Sequence, residues 1–428
     1  MLNAYVYPLR LTADASRVVV RPFNLAWQAS GTEPGRAQRL VQAVLDMDMA
    51  ETRSQLASVL ADFEARHWQT RRVFMSRYEE IVGLLGLDLP DIGDEKRQLI
   101  GAYFCHEYSY AAAALMNPSV VPHPDQSGLD GSALRILMSV RAVGEGHISS
   151  VVFREGLITD RNELLLAAEP PFATAAYLPD SNGLKAQSGP VTIYRHTDST
   201  ISGTVIFPIT EAQHNGLEDV RLTLFTHDDG TKEYLGTYTA YSGREIQSEL
   251  LRTQDFRKMD LVPMRGAAAR NKGMALFPRK IGGKYMMIGR QDGQNLFLLT
   301  SDEIDHWEDG ELLLEPVYPW EFVQIGNCGP PIELDEGWLL LTHGVGAMRK
   351  YAIGAVLLDK DDPSKVLARA KHPILSARDE DREGYVPNVV YTCGALRHGD
   401  SLFLPYGVAD SSVAFAFVKI GEMLAQME

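Results

Sequence analysis

The chain has 428 residues, and its 41 Lys and Arg against 56 Asp and Glu give a formal net charge of −15. Hydrophobic residues make up 45% and charged residues 23%, which excludes disorder, collagen-like repetition and a coiled coil as descriptions of the whole chain. A charge of −15 without a basic cluster also argues against a nucleic-acid partner, because such a partner requires Lys and Arg gathered on one surface.

The cysteines and the apolar segments bear on the cellular compartment. Cys105, Cys328 and Cys393 are odd in number and far apart in sequence, so we expect no disulfide framework and a reducing environment. No stretch approaches the roughly 18 apolar residues of a membrane span, and the amino-terminal sequence lacks a signal-peptide core. We therefore expect a soluble, cytoplasmic protein without a membrane partner.

Helical periodicity dominates the first part of the chain. Apolar residues recur at spacings of three, four and seven within residues 40–45, 56–63 and 73–85, and Gly86 and Pro90 end the third segment. Asp94 is a candidate cap for a further helix, which the pattern extends toward the alanines at 111–114. The sequence predicts a largely helical segment over residues 1–113.

Short strands separated by turn sequences follow. The clearest predicted strands span residues 134–140, 148–153, 220–225, 285–288, 296–299, 338–341 and 414–418. Long amphipathic segments between them are missing, which makes alternating βαβ units an unsuitable description. The sequence thus predicts a large β domain over residues 114–428, whose length fits a β-propeller better than a single sandwich.

Several widespread catalytic motifs are missing from the sequence. It contains no phosphate loop, no GxSxG elbow, no second His at the spacing of a zinc-binding helix and no paired cysteines. The Gly-Glu-Gly-His run at 144–147 lacks the third glycine and the following helix of a dinucleotide site. P-loop NTPase, Rossmann, zincin and α/β-hydrolase chemistry are therefore excluded, and we expect no metal and no cofactor.

A set of polar segments in the β part resembles glycoside hydrolase family 130, the β-mannoside phosphorylases and β-1,2-mannosidases. The acidic motif of that family precedes a Tyr-Thr-Ala-Tyr strand, as Gly216-Leu217-Glu218-Asp219-Val220-Arg221 precedes Tyr238-Thr239-Ala240-Tyr241 here. Further motifs occur in the family's order, namely Asn271-Lys272 with Leu276-Phe277-Pro278, His343-Gly344-Val345, residues 384–390 with Cys393-Gly394-Ala395, and residues 406–410. The sequence departs from the family at Val220, where Pro is usual, and at 289–291, where many members have His-Arg-Pro.

The resemblance runs from about Ala114 to the carboxyl end and implies a fold. It implies a mainly β protein, a five-bladed β-propeller over residues 114–428 with the active site at the central channel. Residues 1–113 then form an α-helical amino-terminal extension like that of longer members. Three roles fit this extension: a cap on the propeller, a cover over an acceptor site, and an interface in a homo-oligomer.

The resemblance also implies a division of chemical roles. Inverting cleavage of a glycoside requires an acid on the leaving oxygen and a nucleophile on the opposite face of the sugar. Asp219 matches the family's catalytic acid, which protonates the leaving oxygen through a hydroxyl of the bound mannose. A phosphate nucleophile needs cations to hold it, whereas water needs a carboxylate base. The phosphate-binding candidates are Lys272, Arg244, Arg290 and His343.

Five further residues are candidates for binding the sugar. Asp410 matches a residue that binds mannose in the −1 subsite, and Asn117 and Arg141 match sugar-binding positions near the first strands. Glu145 lies in a glycine-flanked loop, which suggests a close approach to a ligand. Tyr385 fits either the channel or packing between blades. Glu145 is also the residue that most favours the hydrolytic alternative, because glutamates supply the base in the family's hydrolases.

Three functional hypotheses follow, each with a mannose-containing oligosaccharide as partner. The first is inverting phosphorolysis of β-mannosides, preferably β-1,2-linked manno-oligosaccharides, with inorganic phosphate as co-substrate and α-mannose 1-phosphate as product. The second is an inverting β-1,2-mannosidase that uses water, with Glu145 or another carboxylate as base. The third is a carbohydrate-binding propeller without catalytic activity.

Overall fold

The computed structural model describes residues 4–25, 35–179 and 189–428. The chain begins with two strands, β1 (Tyr5–Thr12) and β2 (Val18–Pro22), and continues with four helices. These are α1 (Arg36–Asp46), α2 (Met49–Phe63), α3 (Thr70–Leu85) and α4 (Gly93–Tyr103). Asp48 caps α2 by accepting hydrogen bonds from the amides of Ala50 and Glu51 at 2.7 and 2.8 Å. Gly86 ends α3 in the left-handed conformation, as the sequence predicts.

The last of these helices is shorter than its sequence pattern suggests. It ends at Tyr103, and strand β3 (Cys105–Ser109) pairs antiparallel with β2. The alanines at 111–114 therefore lie outside any helix. Gly101 brings α4 close to α3, because a Cβ there would lie 1.9 Å from the carbonyl oxygen of Phe74.

The remainder of the chain is mainly β, as the sequence predicts, and its strands form four hydrogen-bonded sheets. The largest, with eleven strands, consists of two parts that one parallel pair joins, so that five sheets can be distinguished in all. The first contains β4 (Ala114–Pro122), β5 (Leu134–Val143), β6 (Ser149–Ile158), β7 (Leu164–Leu166), β8 (Thr174–Ala175) and, paired with both β6 and β8, β10 (Thr204–Ile206). The second contains β9 (Val191–Tyr194), β11 (Gly216–Thr226), β12 (Lys232–Tyr241), β13 (Ile246–Thr253) and β14 (Lys258–Pro263). These two sheets are joined by a single parallel pair, Gly216 with Ser149.

Three more sheets follow in chain order. The third contains β15 (Ala275–Leu276), β16 (Tyr285–Gly289), β17 (Leu296–Ser301) and β18 (Glu311–Leu314). The fourth contains β19 (Gln324–Asn327), β20 (Ile332–Glu333), β21 (Trp338–Val345), β22 (Tyr351–Leu358), β23 (Val366–Arg369) and β24 (Leu375–Ser376). The fifth contains β25 (Val390–Tyr391), β26 (Leu396–His398), β27 (Ser401–Val408) and β28 (Ser412–Lys419), and a short helix, α5 (Ile420–Leu424), follows it.

Strand β1 belongs to the fifth sheet rather than to the helical segment. It pairs antiparallel with β28, from Tyr5 opposite Phe417 to Thr12 opposite Ser412. The first strand of the chain is thus part of the same sheet as the last strand. The boundary between residues 113 and 114 remains a prediction, and the part before it contains strands as well as helices.

Hydrophobic clusters fill the spaces between consecutive sheets. Along β5, Met138 and Val140 pack toward the fifth sheet and Leu137 toward the second, because successive side chains of a strand point to opposite faces. Further clusters lie between the second and third sheets, the third and fourth, and the fourth and fifth. The molecule is therefore mainly β, and each sheet is buried on both faces near its middle. Within the described residues, no helix has the length and apolar character needed to cross a membrane.

Candidate functional site

A pocket of about 320 Å³ lies where the five sheets converge. Each sheet contributes to its wall, for example through Asn117 of β4, Asp219 of β11, His343 of β21 and two loop residues, Arg290 after β16 and Asp410 after β27. These residues are up to 293 positions apart in sequence, so the fold alone brings them together. The lining is strongly polar, which suits a hydrophilic ligand.

Matching β-bulges aim Asn117 and Asp219 into this pocket. The register of β4 against β5 shifts between Met116 and Ser119, and that of β11 against β12 shifts between Glu218 and Arg221. Asn117 and Asp219 occupy these shifts with φ values of 51° and 58°. Left-handed backbone at a non-glycine residue costs on the order of 1–3 kcal/mol, and such strain is concentrated at functional sites.

The carboxylate of Asp219 is partly buried among cationic and amide groups. Asn117 Nδ2 donates a hydrogen bond to Asp219 Oδ1 at 2.6 Å, and Arg141 Nη1 lies 3.5 Å from the same oxygen. Arg221 Nη1 donates to the backbone carbonyl of Asp219 at 2.9 Å. Burial raises the pKa of Asp219, but Arg141, Arg221, Asn117 and Lys272 outweigh it and hold the pKa below its usual value. Asp219 is consequently ionised at neutral pH.

Glu218 links two of the cations. Its Oε1 accepts a hydrogen bond from Arg141 Nη2 and its Oε2 accepts one from Lys272 Nζ, both at 2.8 Å. Both carboxylate oxygens are thereby engaged, in a side chain that is almost fully buried. Glu218 fixes the positions of Arg141 and Lys272 and leaves part of their charge uncompensated toward the pocket.

Asp410 is in a different electrostatic state from Asp219. It lies in the turn between β27 and β28 with a φ of 49°, and its side chain has no hydrogen-bond partner among the described residues. Burial and the charge of Asp219 raise its pKa to about 6, while Arg141 and Arg349 act in the opposite direction. Two carboxylates of one pocket thus have pKa values displaced in opposite directions.

His343 lines the pocket but carries no positive charge there. Burial lowers its pKa to about 3, assisted by Arg290, so the ring is neutral at physiological pH. Its Nδ1 lies 3.2 Å from the carbonyl oxygen of Asn327, a contact that requires the proton on Nδ1 and leaves Nε2 as an acceptor. The ring lies directly on Gly326, where a Cβ would approach Cε1 to 2.2 Å. The expectation that His343 adds to a cationic cluster is therefore wrong with respect to its charge.

The structure brings most of the candidate residues from the sequence into this pocket. Seven of them line it: Asn117, Arg141, Asp219, Lys272, Arg290, His343 and Asp410. Arg244 does not, because it lies in the turn between β12 and β13 and lines a separate cleft together with Arg265 and Arg270.

Glu145 and Tyr385 also lie outside the pocket lining. Glu145 is exposed in a 3-10 turn at 145–147, where its backbone carbonyl accepts a hydrogen bond from the Tyr108 hydroxyl at 2.8 Å. Tyr385 is 73% exposed, and its ring centroid is 6.3 Å from that of His147. Arg244 and Tyr385 are candidates because they lie on or near family motifs, and Glu145 because glycines flank it. Neither observation determines the direction of a loop side chain.

Other pocket residues were not predicted as site residues. Glu218 and Arg221 belong to the acidic motif itself, so their position beside Asp219 was a usable signal. Arg349 lies in a turn, Gly346–Arg349, whose backbone repeats that of Gly144–His147: Met348 has φ 57° and ψ 28°, and Gly146 has φ 70° and ψ 13°. The equivalent residue of the first turn, His147, does not line the pocket, so the sequence contains no signal that singles out Arg349.

Comparisons with known proteins show which sequences and structures this chain resembles. The family model Glyco_hydro_130, described as beta-1,4-mannooligosaccharide phosphorylase, matches residues 195–428, which is more than half of the chain. A 1,2-beta-oligomannan phosphorylase of Thermoanaerobacter sp. (strain X514) is 35% identical over 218 residues, covering 50% of this chain and 72% of that relative.

Two further similarities involve proteins of Listeria innocua. A beta-1,2-mannobiose phosphorylase of that organism (serovar 6a) is 35% identical over 233 residues, covering 52% of this chain and 63% of the relative. The solved structure of a Listeria innocua beta-1,2-mannobiose phosphorylase in complex with beta-1,2-mannobiose aligns with a TM-score of 0.50 and 27% identity. The alignment covers 73% of this chain and 92% of that one.

Proposed function

Because the chain belongs to glycoside hydrolase family 130, we propose that it catalyses the inverting phosphorolysis of β-mannosides. The proposed substrates are β-1,2-linked manno-oligosaccharides and inorganic phosphate, and the proposed product is α-mannose 1-phosphate. The observation that carries the proposal is the charge of the pocket. Three carboxylates line it together with five positively charged side chains, which are Arg141, Arg221, Lys272, Arg290 and Arg349. Such a surplus favours an anionic co-substrate.

The proposed architecture is a closed five-bladed β-propeller. It is supported by the order of the hydrophobic clusters, which join each sheet to the next and the fifth sheet back to the first. It is also supported by the pairing of β1 with β28, which unites the two ends of the chain in one sheet. In this arrangement the pocket lies at the channel around which the blades are arranged.

Asp219 is the proposed acid, and its lowered pKa bears on when it takes up the proton that it later delivers. One of the cations that hold its pKa down, Lys272, is proposed to pair with the incoming phosphate. Once phosphate occupies Lys272, less positive charge acts on Asp219 and its pKa rises. Asp219 would therefore take up its proton as the complex forms, and then deliver it to the leaving oxygen through a mannose hydroxyl.

The remaining roles follow from charge and hydrogen-bonding capacity. Lys272 and Arg290 are proposed to hold the phosphate, and Asn117, Arg141 and Asp410 to bind the mannose hydroxyls. The free Nε2 of His343 would accept a hydrogen bond from a sugar hydroxyl or a protonated phosphate oxygen, since the neutral ring cannot donate from that atom.

Hydrolysis requires a base that the pocket supplies poorly. Glu145 does not line the pocket, and Glu218 has both oxygens engaged by Arg141 and Lys272. Asp410 is the remaining carboxylate, and it adjoins Asp219 on the side proposed for the sugar. A phosphate nucleophile arrives already anionic and needs no such base.

The test is the phosphate dependence of β-1,2-mannobiose cleavage. We expect cleavage that requires phosphate and a loss of at least 100-fold, the lower range for general acid catalysis, in Asp219→Asn. Asp335→Asn makes the same chemical change at an exposed turn and should retain wild-type rates. Equal rates with and without phosphate, with free mannose as product, would overturn the proposal in favour of hydrolysis.

A further inference from the structure

A second cleft lies between the helical segment and the β part of the molecule. Its volume is about 520 Å³, and it is bounded by α3, by β2 and by residues 173–178. It shares no lining residue with the pocket around Asp219 within the described part of the chain. A cleft of this size accommodates a small organic ligand.

Arg21 gives this cleft an unpaired positive charge. Its guanidinium lies 4.1 Å from the ring centroid of Phe207, and no described residue forms a hydrogen bond or an ion pair with it. Burial lowers the pKa of Arg21 to about 10, although Tyr108 and Glu80 act in the opposite direction. The nearest lining carboxylate, Glu80, is paired with Arg77 instead. An anion entering the cleft would supply the partner that Arg21 lacks, and the planar guanidinium matches two oxygens of a phosphate group.

A wall of three neighbouring aromatic rings lies in the same cleft. His196 lies between Trp68 and Tyr177, with ring centroids 4.4 and 4.5 Å away, and the indole nitrogen of Trp68 donates to Asp198 at 3.1 Å. The rings are thereby held in place, and the alanine side chains at 173, 175 and 176 leave space beside them. Fixed aromatic faces suit the C–H face of a sugar ring.

Polar groups on α3 complete the lining. Arg72 and Ser76 reach the cleft from this helix, as does Glu80. A sugar ring presents hydroxyls around its edge, and hydroxyls need donors and acceptors of this kind.

We propose that this cleft is a second binding site, specific for a sugar phosphate, with the phosphate on Arg21 and the sugar ring against the Trp68–His196–Tyr177 wall. The class of ligand is derived from the residues of the cleft. Only the choice of α-mannose 1-phosphate as the probe rests on the proposed function, because that compound is the proposed product.

The experiment counts bound α-mannose 1-phosphate per chain at saturation, by equilibrium dialysis of the full-length protein. We expect two bound molecules in the wild type and one in Arg21→Gln. One molecule is also expected in Ser76→Trp, which fills the cleft from an exposed helix position without removing a buried group. Arg257→Gln, the same change at an exposed arginine, should retain two.

A double variant separates this proposal from the proposed function. Lys272→Ala with Arg290→Ala should lose the molecule bound in the pocket and keep the one in the cleft. A single bound molecule that disappears with Arg21→Gln and not with the double variant would support the cleft and contradict the product site. A bound molecule lost only with the double variant, or binding unaffected by both cleft variants, would overturn the cleft site.

The chemical class is tested with three competitors against α-mannose 1-phosphate in the double variant. Inorganic phosphate and β-1,2-mannobiose should each compete at least tenfold more weakly than a second hexose phosphate, because each offers only half of the required contacts. Equal competition by either one would contradict a sugar-phosphate site.

Discussion

Asp410→Asn and Asp219→Asn should change the stability of the fold in opposite directions. Asp410 has a raised pKa and no hydrogen-bond partner among the described residues, so its charge is unfavourable in the folded state. Asp219 has a lowered pKa, because the nearby cations more than compensate its burial. Near neutral pH we expect Asp410→Asn to stabilise the fold and Asp219→Asn to destabilise it.

The magnitude for Asp410 follows from its pKa. A value of about 6 against a usual 3.8 corresponds to about 3 kcal/mol, since each pH unit is worth about 1.4 kcal/mol. Between about pH 4 and pH 6 the folded protein holds a proton that the unfolded chain has lost, so this carboxyl makes stability fall as pH rises. Above pH 6 the folded protein carries the full unfavourable free energy of the ionised Asp410 carboxylate, which replacement by asparagine removes.

Asp219 behaves with the opposite sign. The folded protein releases the proton of Asp219 more readily than the unfolded chain does, so its charge contributes stability at pH values above the unfolded pKa. That contribution is lost as pH falls through the folded pKa. Asp219→Asn should therefore be less stable than the wild type at neutral pH, and the difference should shrink in acid.

Urea unfolding from pH 4 to pH 7 measures both effects. The free energy of unfolding of Asp410→Asn should exceed that of the wild type by up to about 3 kcal/mol at pH 7, and the gap should close toward pH 4. Asp335→Asn controls for the chemical change and should stay within about 0.5 kcal/mol of the wild type throughout. A destabilised Asp410→Asn at pH 7, or a gap that does not depend on pH, would refute this account of the pocket.

Three further predictions concern single side chains. Lys272→Ala should raise the KM for phosphate about tenfold in steady-state kinetics. This is the lower range for the loss of one charge-assisted hydrogen bond, which we expect because Lys272 is partly exposed. An unchanged KM would show that Lys272 does not bind the phosphate. Glu145→Gln should keep kcat/KM within about twofold of the wild type, because Glu145 lies outside the pocket. A fall in kcat/KM as large as that expected for an acid–base residue would show that Glu145 acts as the base. Met348→Gly should raise the free energy of unfolding by about 1 kcal/mol. Met348 is 93% exposed and has a left-handed φ of 57°, which glycine adopts more readily than a residue with a Cβ. A lower Tm would show that the Met348 side chain makes a stabilising contact.

The regular elements were predictable because they depend on local patterns. The spacing of apolar residues predicted α1, α2 and α3, and short apolar segments bounded by turn sequences predicted strands such as β5, β21 and β28. The end of α4 was not predictable in this way. Residues 105–109 are taken into a strand by pairing with β2, a partner more than 80 positions away, and helix periodicity contains no information about such pairing.

The candidate site was predictable where motifs lie on strands or at their ends. Asn117, Arg141 and Asp219 lie on β4, β5 and β11, and the pairing of these strands, with bulges at Asn117 and Asp219, carries the motif into the pocket. Arg244 and Glu145 lie in turns, where one backbone angle redirects the side chain. The neutral state of His343 and the raised pKa of Asp410 depend on burial and on charges from other sheets, which only the assembled fold supplies.

The most direct test of the central claim is the chemical identity of the first product. Phosphorus NMR of the full-length protein acting on β-1,2-mannobiose should show α-mannose 1-phosphate accumulating at the rate at which free mannose is released from the other end of the substrate. A phosphorus spectrum in which only inorganic phosphate remains while the disaccharide is converted to two molecules of mannose would contradict the claim.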